Sequence, residues 1–228
     1  NTTTKIEEIT KPTLVESQLD GTMVSPDTAS RHPLAVMIEN HVQARPQSGL
    51  TEASIVYETL AEGGITRFMA IYGPKYPTQA GPVRSARSYY VTWAEEYNAF
   101  YAHFGGATDA LAKIKKDGVK DLDGMKIGAP LFWRHWYPGV TASEHTAFTS
   151  PEKLFNYAIS TKKWANTTPE SVYKFKEDPA AAERGKGGTV TVNFSGNASF
   201  IAKFTYDPAT NTWPRTLAGI AHKDRLTG

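Results

Sequence analysis

From Pro33 onward the chain alternates short apolar runs with polar, glycine- and proline-rich turns. Leu34-Ala35-Val36-Met37-Ile38 has no polar interruption, as a strand covered on both faces requires, and Glu39-Asn40-His41 ends it. Arg45-Pro46-Gln47-Ser48-Gly49-Leu50 reads as a loop, Ala53 to Glu58 as a second strand, and Thr66 to Tyr72 as a third after the Gly63-Gly64 turn. A loop holding Pro74, Pro77, Gly81 and Pro82 leads to a predicted helix over about 86–97. Ala99 to Phe104 is another strand, stopped by Gly105-Gly106. Thr108 or Asp109 is placed to cap a helix through Lys116, with Leu111 and Ile114 inward. Ser150-Pro151-Glu152 is a further helix start, with Ser150 as N-cap and proline at the first helical position. Strands alternating with helices over 31–165 predict an α/β domain, a mixed sheet with flanking helices.

The flanks have another texture. Residues 1–30 are rich in Thr, Ser, Glu, Asp and Pro and read as an extended tether or lead, with a short strand near Leu14–Leu19. A tether holding the protein off a membrane and an ordinary frayed terminus fit this composition equally. Residues 166–188 are polar and read as a linker. Thr189 to Phe194 alternates with period two, and Phe200 to Tyr206, the Asp207–Asn211 turn and Trp213 to Leu217 read as a hairpin. Residues 189–228 are therefore a small β-rich C-terminal segment, expected to be the start of a domain left incomplete at Gly228.

Composition narrows the function classes. With 228 residues the chain can bury a core without staples, and with no cysteine it has neither disulfides nor thiolate zinc sites. A net charge of +2 without a basic stripe argues against nucleic acid as a partner. No apolar run approaches the roughly 18–20 residues of a membrane span, so membrane attachment is expected only through an N-terminal anchor outside this chain. The start at Asn1 is expected to follow processing. His103, His135 and His145 match no compact ligand spacing, so no metal site is expected, and no cofactor is identified.

Several segments carry chemistry. In Gly81-Pro82-Val83-Arg84-Ser85-Ala86-Arg87 a helix start, with Ser85 as natural N-cap, would add free N–H groups to the planar donors of Arg84 and Arg87. That is an anion site, unless both arginines pair with carboxylates such as Glu58 or Glu62. His103-Phe104-Gly105-Gly106 puts an imidazole at a strand's carboxyl end beside a turn that would let backbone approach a ligand; a tight turn beside a structural histidine explains it as well. Glu58 and Arg67 flank a connection and read either as a salt bridge or as a general base near an arginine. Trp133-Arg134-His135-Trp136-Tyr137 reads as a stacking platform or as half-buried packing. There is no Gly-x-Ser-x-Gly elbow and no Walker-type loop.

Arg45 to Leu50, Ile55-Val56-Tyr57-Glu58, Glu62 to Arg67, Gly81 to Arg87 and His103 to Gly106 together resemble the YerB-like bacterial lipoproteins in order and spacing over about 31–160. The Gly-Pro-Val-Arg-Ser-Ala-Arg run is the most specific element. Tyr206 and Gly219 to Asp224 resemble the opening of that family's C-terminal domain. At Ser143-Glu144-His145-Thr146 only His145 keeps the family pattern. The resemblance implies an extracytoplasmic protein, a membrane-anchored lipoprotein or secreted, of unknown function.

Three functions follow. One is binding of a phosphate- or carboxylate-bearing ligand in an arginine-rich cleft of Arg67, Arg84, Ser85, Arg87, His103, Gly105 and Gly106, with Arg45 and His145 as secondary candidates. The partner would be an anionic envelope component: a glycan, a lipid phosphate or a protein. The second is a phosphotransferase acting on lipid-linked envelope glycopolymers, by analogy of layout with the LytR-CpsA-Psr phosphotransferases, with Glu58 and His103 as catalytic candidates. The third is a non-binding scaffold whose arginines are satisfied internally. Arginines open to solvent in a cleft favour binding, acidic residues grouped beside them favour the enzyme, and buried ion pairs favour the scaffold. A parallel strand ending at His103 would bring it to the same edge as Arg84 and Arg87.

Overall fold

The computed structural model describes residues 13–167 and 173–228. A hairpin of β1 (Val15–Glu16) and β2 (Met23–Val24) and a one-turn helix α1 (Pro26–Ala29) precede the main sheet. That sheet contains β3 (Leu34–Glu39), β4 (Ile55–Leu60), β5 (Thr66–Tyr72), β6 (Phe100–His103) and β7 (Asp121–Asp123), in spatial order β4-β5-β3-β6-β7. Helices α2 (Ser88–Glu96) and α3 (Thr108–Asp117) carry the crossovers into β6 and β7, and short α4 (Gly124–Ile127) follows. A ribbon of β8 (Phe132–Arg134) and β9 (Ala147–Thr149) leads to α5 (Pro151–Ser160). The C-terminal unit is an antiparallel sheet of β10 (Thr189–Asn193), β11 (Ile201–Thr205), β12 (Arg215–Leu217) and β13 (Ile220–Ala221), in sequence order.

The apolar runs explain the layering. β3 and β5 are buried along their whole length because both faces are covered. Ala35, Met37, Met69, Ile71 and Tyr101 face α2 and α3 through Tyr90, Val91, Ala94, Ala110 and Ile114. Leu34, Val36, Ala70, Phe100 and Ala102 face α5 through Leu154 and Ala158. β3 runs antiparallel to β5 but parallel to β6, and β6 parallel to β7, so the sheet is mixed as predicted. The parallel pairs place Glu39, His103 and Asp123 at one common edge.

Three local expectations are corrected by long-range contacts. Of the lead read over 1–30, residues 1–12 lie outside the described residues; β1 falls within the short strand expected near Leu14–Leu19, while β2 and α1 replace extended chain in the remainder and Leu19 is buried in the core. Packing is tight there: a Cβ on Gly73 would sit 2.7 Å from Leu19. The helix expected from about residue 86 begins at Ser88, with Arg87 rather than Ser85 in the N-cap position. Gly81 to Arg87 is instead threaded between β3 and the chain leaving β6. The Arg84 N–H donates to Met37 O (3.0 Å), Phe104 N–H to Arg84 O (3.0 Å) and Ala86 N–H to Gly105 O (2.9 Å). These bonds hold the segment extended, so the Ser85 hydroxyl is drawn to Phe104 O at 3.1 Å. α3 is preceded by Ala107, not capped by Thr108 or Asp109. Of the linker read over 166–188, residues 168–172 lie outside the described residues, and a short 3-10 turn at Ala181–Glu183 is the helical piece of the rest. Among the described residues no helix is long and apolar enough to cross a membrane.

The start of α5 is as read: Ser150 Oγ accepts from the Lys153 N–H at 3.3 Å, with Pro151 in the first turn. Ser150→Ala is expected to lower unfolding free energy by about 1 kcal/mol, and Leu154→Ala, under the buried sheet face, by about 2–5 kcal/mol. Urea unfolding followed by circular dichroism reads both, and equal losses would show that α5 is not anchored as described.

Candidate functional site

The segments expected to form an arginine-rich cleft do meet at one edge of the sheet, but their side chains divide into separate pairings. Arg84 Nε lies 3.2 Å from Glu39 Oε1, and its Nη1 donates to Glu144 O at 3.1 Å. The other Glu39 oxygen meets His145 Nδ1 at 2.8 Å, and the His145 ring stacks on His41 at 4.5 Å. Arg87 grips both oxygens of Glu62, with Nη2 to Oε2 at 2.5 Å. Arg67 is buried; it donates to Ser85 O at 2.7 Å and lies 3.6 Å from Glu62.

His103 has no exposed surface. Its Nδ1 meets Gly105 O at 2.8 Å and its Nε2 meets Asp121 Oδ1 at 2.9 Å. The Gly105 N–H donates to Asp123 Oδ1 at 2.9 Å, and a Cβ on Gly106 would stand 2.9 Å from Leu111. These glycines therefore serve packing and a local turn. His135 packs against Tyr137 with the rings tilted by 52°, so the three histidines considered as ligands have three different settings. Among the described residues no group of three or more His, Asp or Glu is arranged to hold a metal. Of the expected platform, Trp136 is exposed, whereas Tyr137 is covered by the Arg225 guanidinium, 3.8 Å above its ring.

Glu58 goes elsewhere, which corrects the reading that pairs it with Arg67. In the β4–β5 register Glu58 stands opposite Phe68 while Arg67 stands opposite Thr59, so the two side chains leave opposite faces. Glu58 points to the face on which the C-terminal sheet packs. Its Oε1 accepts from Asn40 Nδ2 (3.1 Å) and Thr66 Oγ1 (2.7 Å), and its Oε2 from Arg215 Nη2 (2.6 Å). Arg215 also contacts His222 Nδ1, and its guanidinium lies between the rings of Phe68 and Phe204 at 5.4 and 5.6 Å. His222 Nε2 is 2.8 Å from Gln47 Oε1. Gln47 Nε2 donates to Glu39 O (3.0 Å) and Asn40 Oδ1 (2.9 Å), which orients that amide. His222 must then donate from Nε2 and accept at Nδ1, the neutral tautomer that a neighbouring arginine requires. Arg45 completes the network, donating to Asn40 Oδ1 at 3.0 Å and Asn40 O at 2.9 Å.

Beside this network, between the main sheet and the C-terminal sheet, lies a cavity of about 430 Å³. Leu50, Val56, Phe68, Val192, Phe194 and Phe204 give it apolar walls, and Glu58, Arg215, His222, Lys223 and Asp224 its polar part. Burial raises the Glu58 carboxyl above its ordinary range, against the lowering pull of Arg215. Burial lowers Arg215, and it brings Arg45 down to about 10. His222 is depressed to about 4, first by burial and then by the charges of Arg215 and Arg45. A concave, mostly apolar space with a few convergent polar groups of shifted pKa is the usual form of a ligand site.

Sequence reading reached Glu58 and Arg45 but assigned no role to Asn40, Gln47, Arg215 or His222. Arg215 and His222 lie 157 and 175 residues from their partners Glu58 and Gln47, and no local pattern announces such pairs. The resemblance over Gly219 to Asp224 was the one available pointer to His222.

A mixed-sheet α/β domain with an antiparallel β unit docked on one face defines the class of protein. Residues 19–165 match a family model described as "Protein of unknown function (DUF3048) N-terminal domain". A relative named "Putative lipoprotein YerB", from Bacillus subtilis (strain 168), is 31% identical over 223 residues, covering 94% of this chain and 63% of that protein. The chain thus spans less than two thirds of that relative's length. The crystal structure of YerB from Bacillus subtilis matches with a TM-score of 0.77 at 30% identity, over 93% of this chain and 70% of that one. The chain belongs to the YerB-like DUF3048 family.

Two titrations test these electrostatics. The His222 pKa, about 4 when folded against an ordinary value of 6.5, means the unfolded chain takes up that proton first. Stability is therefore lost as pH falls from 6.5 towards 4, by about 3 kcal/mol at most. Glu58, with its raised pKa, works in the opposite direction and gains stability as pH falls. Subtracting the His222→Gln unfolding curve from the parent's across this window isolates the histidine; a flat difference would remove His222 from the buried network. Arg87 holds Glu62 down to about 2, so a carboxyl carbon NMR titration of Arg87→Gln should show Glu62 moving back towards 4.5. An unmoved Glu62 would mean that the pair does not form in solution.

Proposed function

We propose that this protein is an extracytoplasmic, lipoprotein-type binding module of the bacterial envelope, and that its ligand occupies the cavity between the β4–β5 face and the C-terminal sheet. The name of the Bacillus subtilis relative supports the location, either membrane-anchored or secreted. The observation that carries the binding reading is the 430 Å³ cavity, apolar along its walls and bounded by the hydrogen-bonded Glu58–Arg215 pair. Glu58 already accepts three donors, and His222 has both ring nitrogens engaged. Groups so occupied suit recognition and rigidity better than proton transfer.

At the arginine-rich edge a second reading has its own support. Arg67, Arg84 and Arg87 face Glu62 and Glu39, the internal pairing that a structural role calls for. An anion arriving there would have to displace a carboxylate. The anionic envelope partner is accordingly sought at the cavity.

A neutral fluorescent probe, N-phenyl-1-naphthylamine, tests the cavity reading. Saturable binding of one equivalent is expected. Val192→Trp, which fills the cavity from the β10 wall, should weaken it about tenfold while the thermal midpoint shows the variant folded. Arg87→Gln should leave binding unchanged. Equal binding in the parent and Val192→Trp would place the probe elsewhere and end the cavity reading.

A further inference from the structure

We propose that the open edge of β10 is a strand-addition site, on which a partner protein lays an extended segment whose alternate apolar side chains enter the cavity. The proposal rests on the cavity being the binding site and names the kind of partner that fills it.

Charge does not select that partner, since the lining sets Arg215 and Lys223 against Glu58 and Asp224. The unanswered polar groups beside the cavity belong to the backbone. β10 is an outer strand of the C-terminal sheet and pairs with β11 alone. The Tyr206 N–H donates to Gly188 O at 2.9 Å, which fixes the parity of the ladder. Val190 and Val192 turn their N–H and C=O towards β11, whereas Thr189, Thr191 and Asn193 turn theirs outward. Among the described residues none of these outward groups meets a partner.

The edge is also unguarded. Proteins blunt exposed edges with lysine, proline, bulges, inward charges or brevity. Thr189-Val190-Thr191-Val192-Asn193 has no charge and no proline, and four of its five residues are β-branched, which keeps the strand formed and pairable. The other outer strands are protected. β13 has two residues and β7 three. β4 carries Glu58 turned inward, and the Tyr89 hydroxyl occupies Leu60 O at 2.8 Å.

Side chains make the edge and the cavity one surface. Alternate residues of a strand share a face, so Val190 and Val192 lie on the same side. Val192 and the following Phe194 line the cavity, and exposed Val190 continues their row. Val56, on the β4 wall across the cavity, is exposed as well. A strand added to β10 sets every second side chain on this face, where the apolar walls can receive it. A lipid or a glycan could fill the space, but it has no row of donors and acceptors at the spacing of a strand; a polypeptide has. A second copy fits less well, because Val192 and Phe194 of its own β10 region already wall its own cavity.

The complete chain is tested with the peptide acetyl-Glu-Thr-Leu-Thr-Leu-Thr-Lys-amide, which alternates apolar and polar residues and has no net charge. Saturable binding of one equivalent is expected, with displacement of N-phenyl-1-naphthylamine and slowed amide hydrogen exchange at Thr191 and Asn193. Two N-methylated peptides, one blocked at the leucines and one at the threonines, should differ. A strand turns only alternate amides towards its neighbour, so one of the two should bind about tenfold more weakly than the other. Thr191→Pro removes one outward donor and no bond to β11. Its thermal midpoint should report a folded chain that still binds N-phenyl-1-naphthylamine, while peptide affinity falls about tenfold. No peptide binding, equal binding of the two N-methylated peptides, or unchanged affinity in folded Thr191→Pro overturns strand addition and leaves the cavity as the binding site. Protection of Thr191 without displacement of the probe separates the edge from the cavity and overturns the joint site. A dimer of the free chain that Thr191→Pro dissociates gives the edge to a second copy and overturns the partner. Failure of N-phenyl-1-naphthylamine to bind would instead bring down the cavity reading.

Discussion

The ion pair of Glu58 and Arg215 is the contact on which the arrangement of the two sheets depends. Glu58 stands on a strand whose other residues are half-buried or exposed, and it would be a charge without a cationic partner if Arg215 did not arrive from β12. Removing one member of such a buried pair costs about 3–5 kcal/mol, because the other is left without a partner. Attraction alone does not make a buried pair favourable; every remaining lone pair and proton must also be answered. Asn40 and Thr66 answer the second oxygen of Glu58, and His222 occupies the second arm of Arg215. The C-terminal sheet is thereby fixed in position as well as attached, and the cavity beside it keeps a defined shape.

Neutral His222 shows how this arrangement is enforced. A protonated ring between Arg215 and Arg45 would put three cations around one carboxylate, and its depression to about 4 reflects burial together with that repulsion. Orientation is passed along a chain of amides: Gln47 is turned by two carbonyl oxygens, presents its own oxygen to His222, and leaves Nδ1 to accept from Arg215. Such a relay has one self-consistent set of donors and acceptors, which is how a polar network comes to specify a single docking geometry.

What could be read from the chain depended on the range of the forces involved. β3, β5 and α5 were legible because their signals are local: an apolar run, a segment opened by the Gly63-Gly64 turn, and Ser150 before Pro151. Gly81 to Arg87 does lead into a helix, but the N-cap falls at Arg87 rather than Ser85 because the bonds that keep the segment extended come from Met37, Phe104 and Gly105, none of them adjacent in sequence. The mixed sheet with helices on its faces was deducible from the alternation of elements. The site was not, since Arg215 reaches Glu58 across the whole domain. Arginine pairing was half legible: Glu62 was a named partner and does take Arg87, while Arg84 turned to Glu39, the last residue of β3. A residue that ends an apolar strand reads as a boundary, and only the fold shows what it faces.

Glu39 joins the two regions. Its backbone oxygen accepts from Gln47, inside the network that positions His222, while its carboxylate takes Arg84 and His145 at the arginine-rich edge. Any displacement of the β3 terminus would therefore disturb the ion pairs on one side and the relay to His222 on the other. Arg84 and Arg87 in turn bracket the extended segment hydrogen-bonded between β3 and the chain after β6, so their carboxylates pin that segment at two points. The arginines that resemble an anion site in sequence thus act, in three dimensions, as the brace for the end of the sheet from which the cavity's polar wall is built. The proposed binding and the internal ion pairing, opposed as readings of one set of residues, fall on two regions that meet at Glu39.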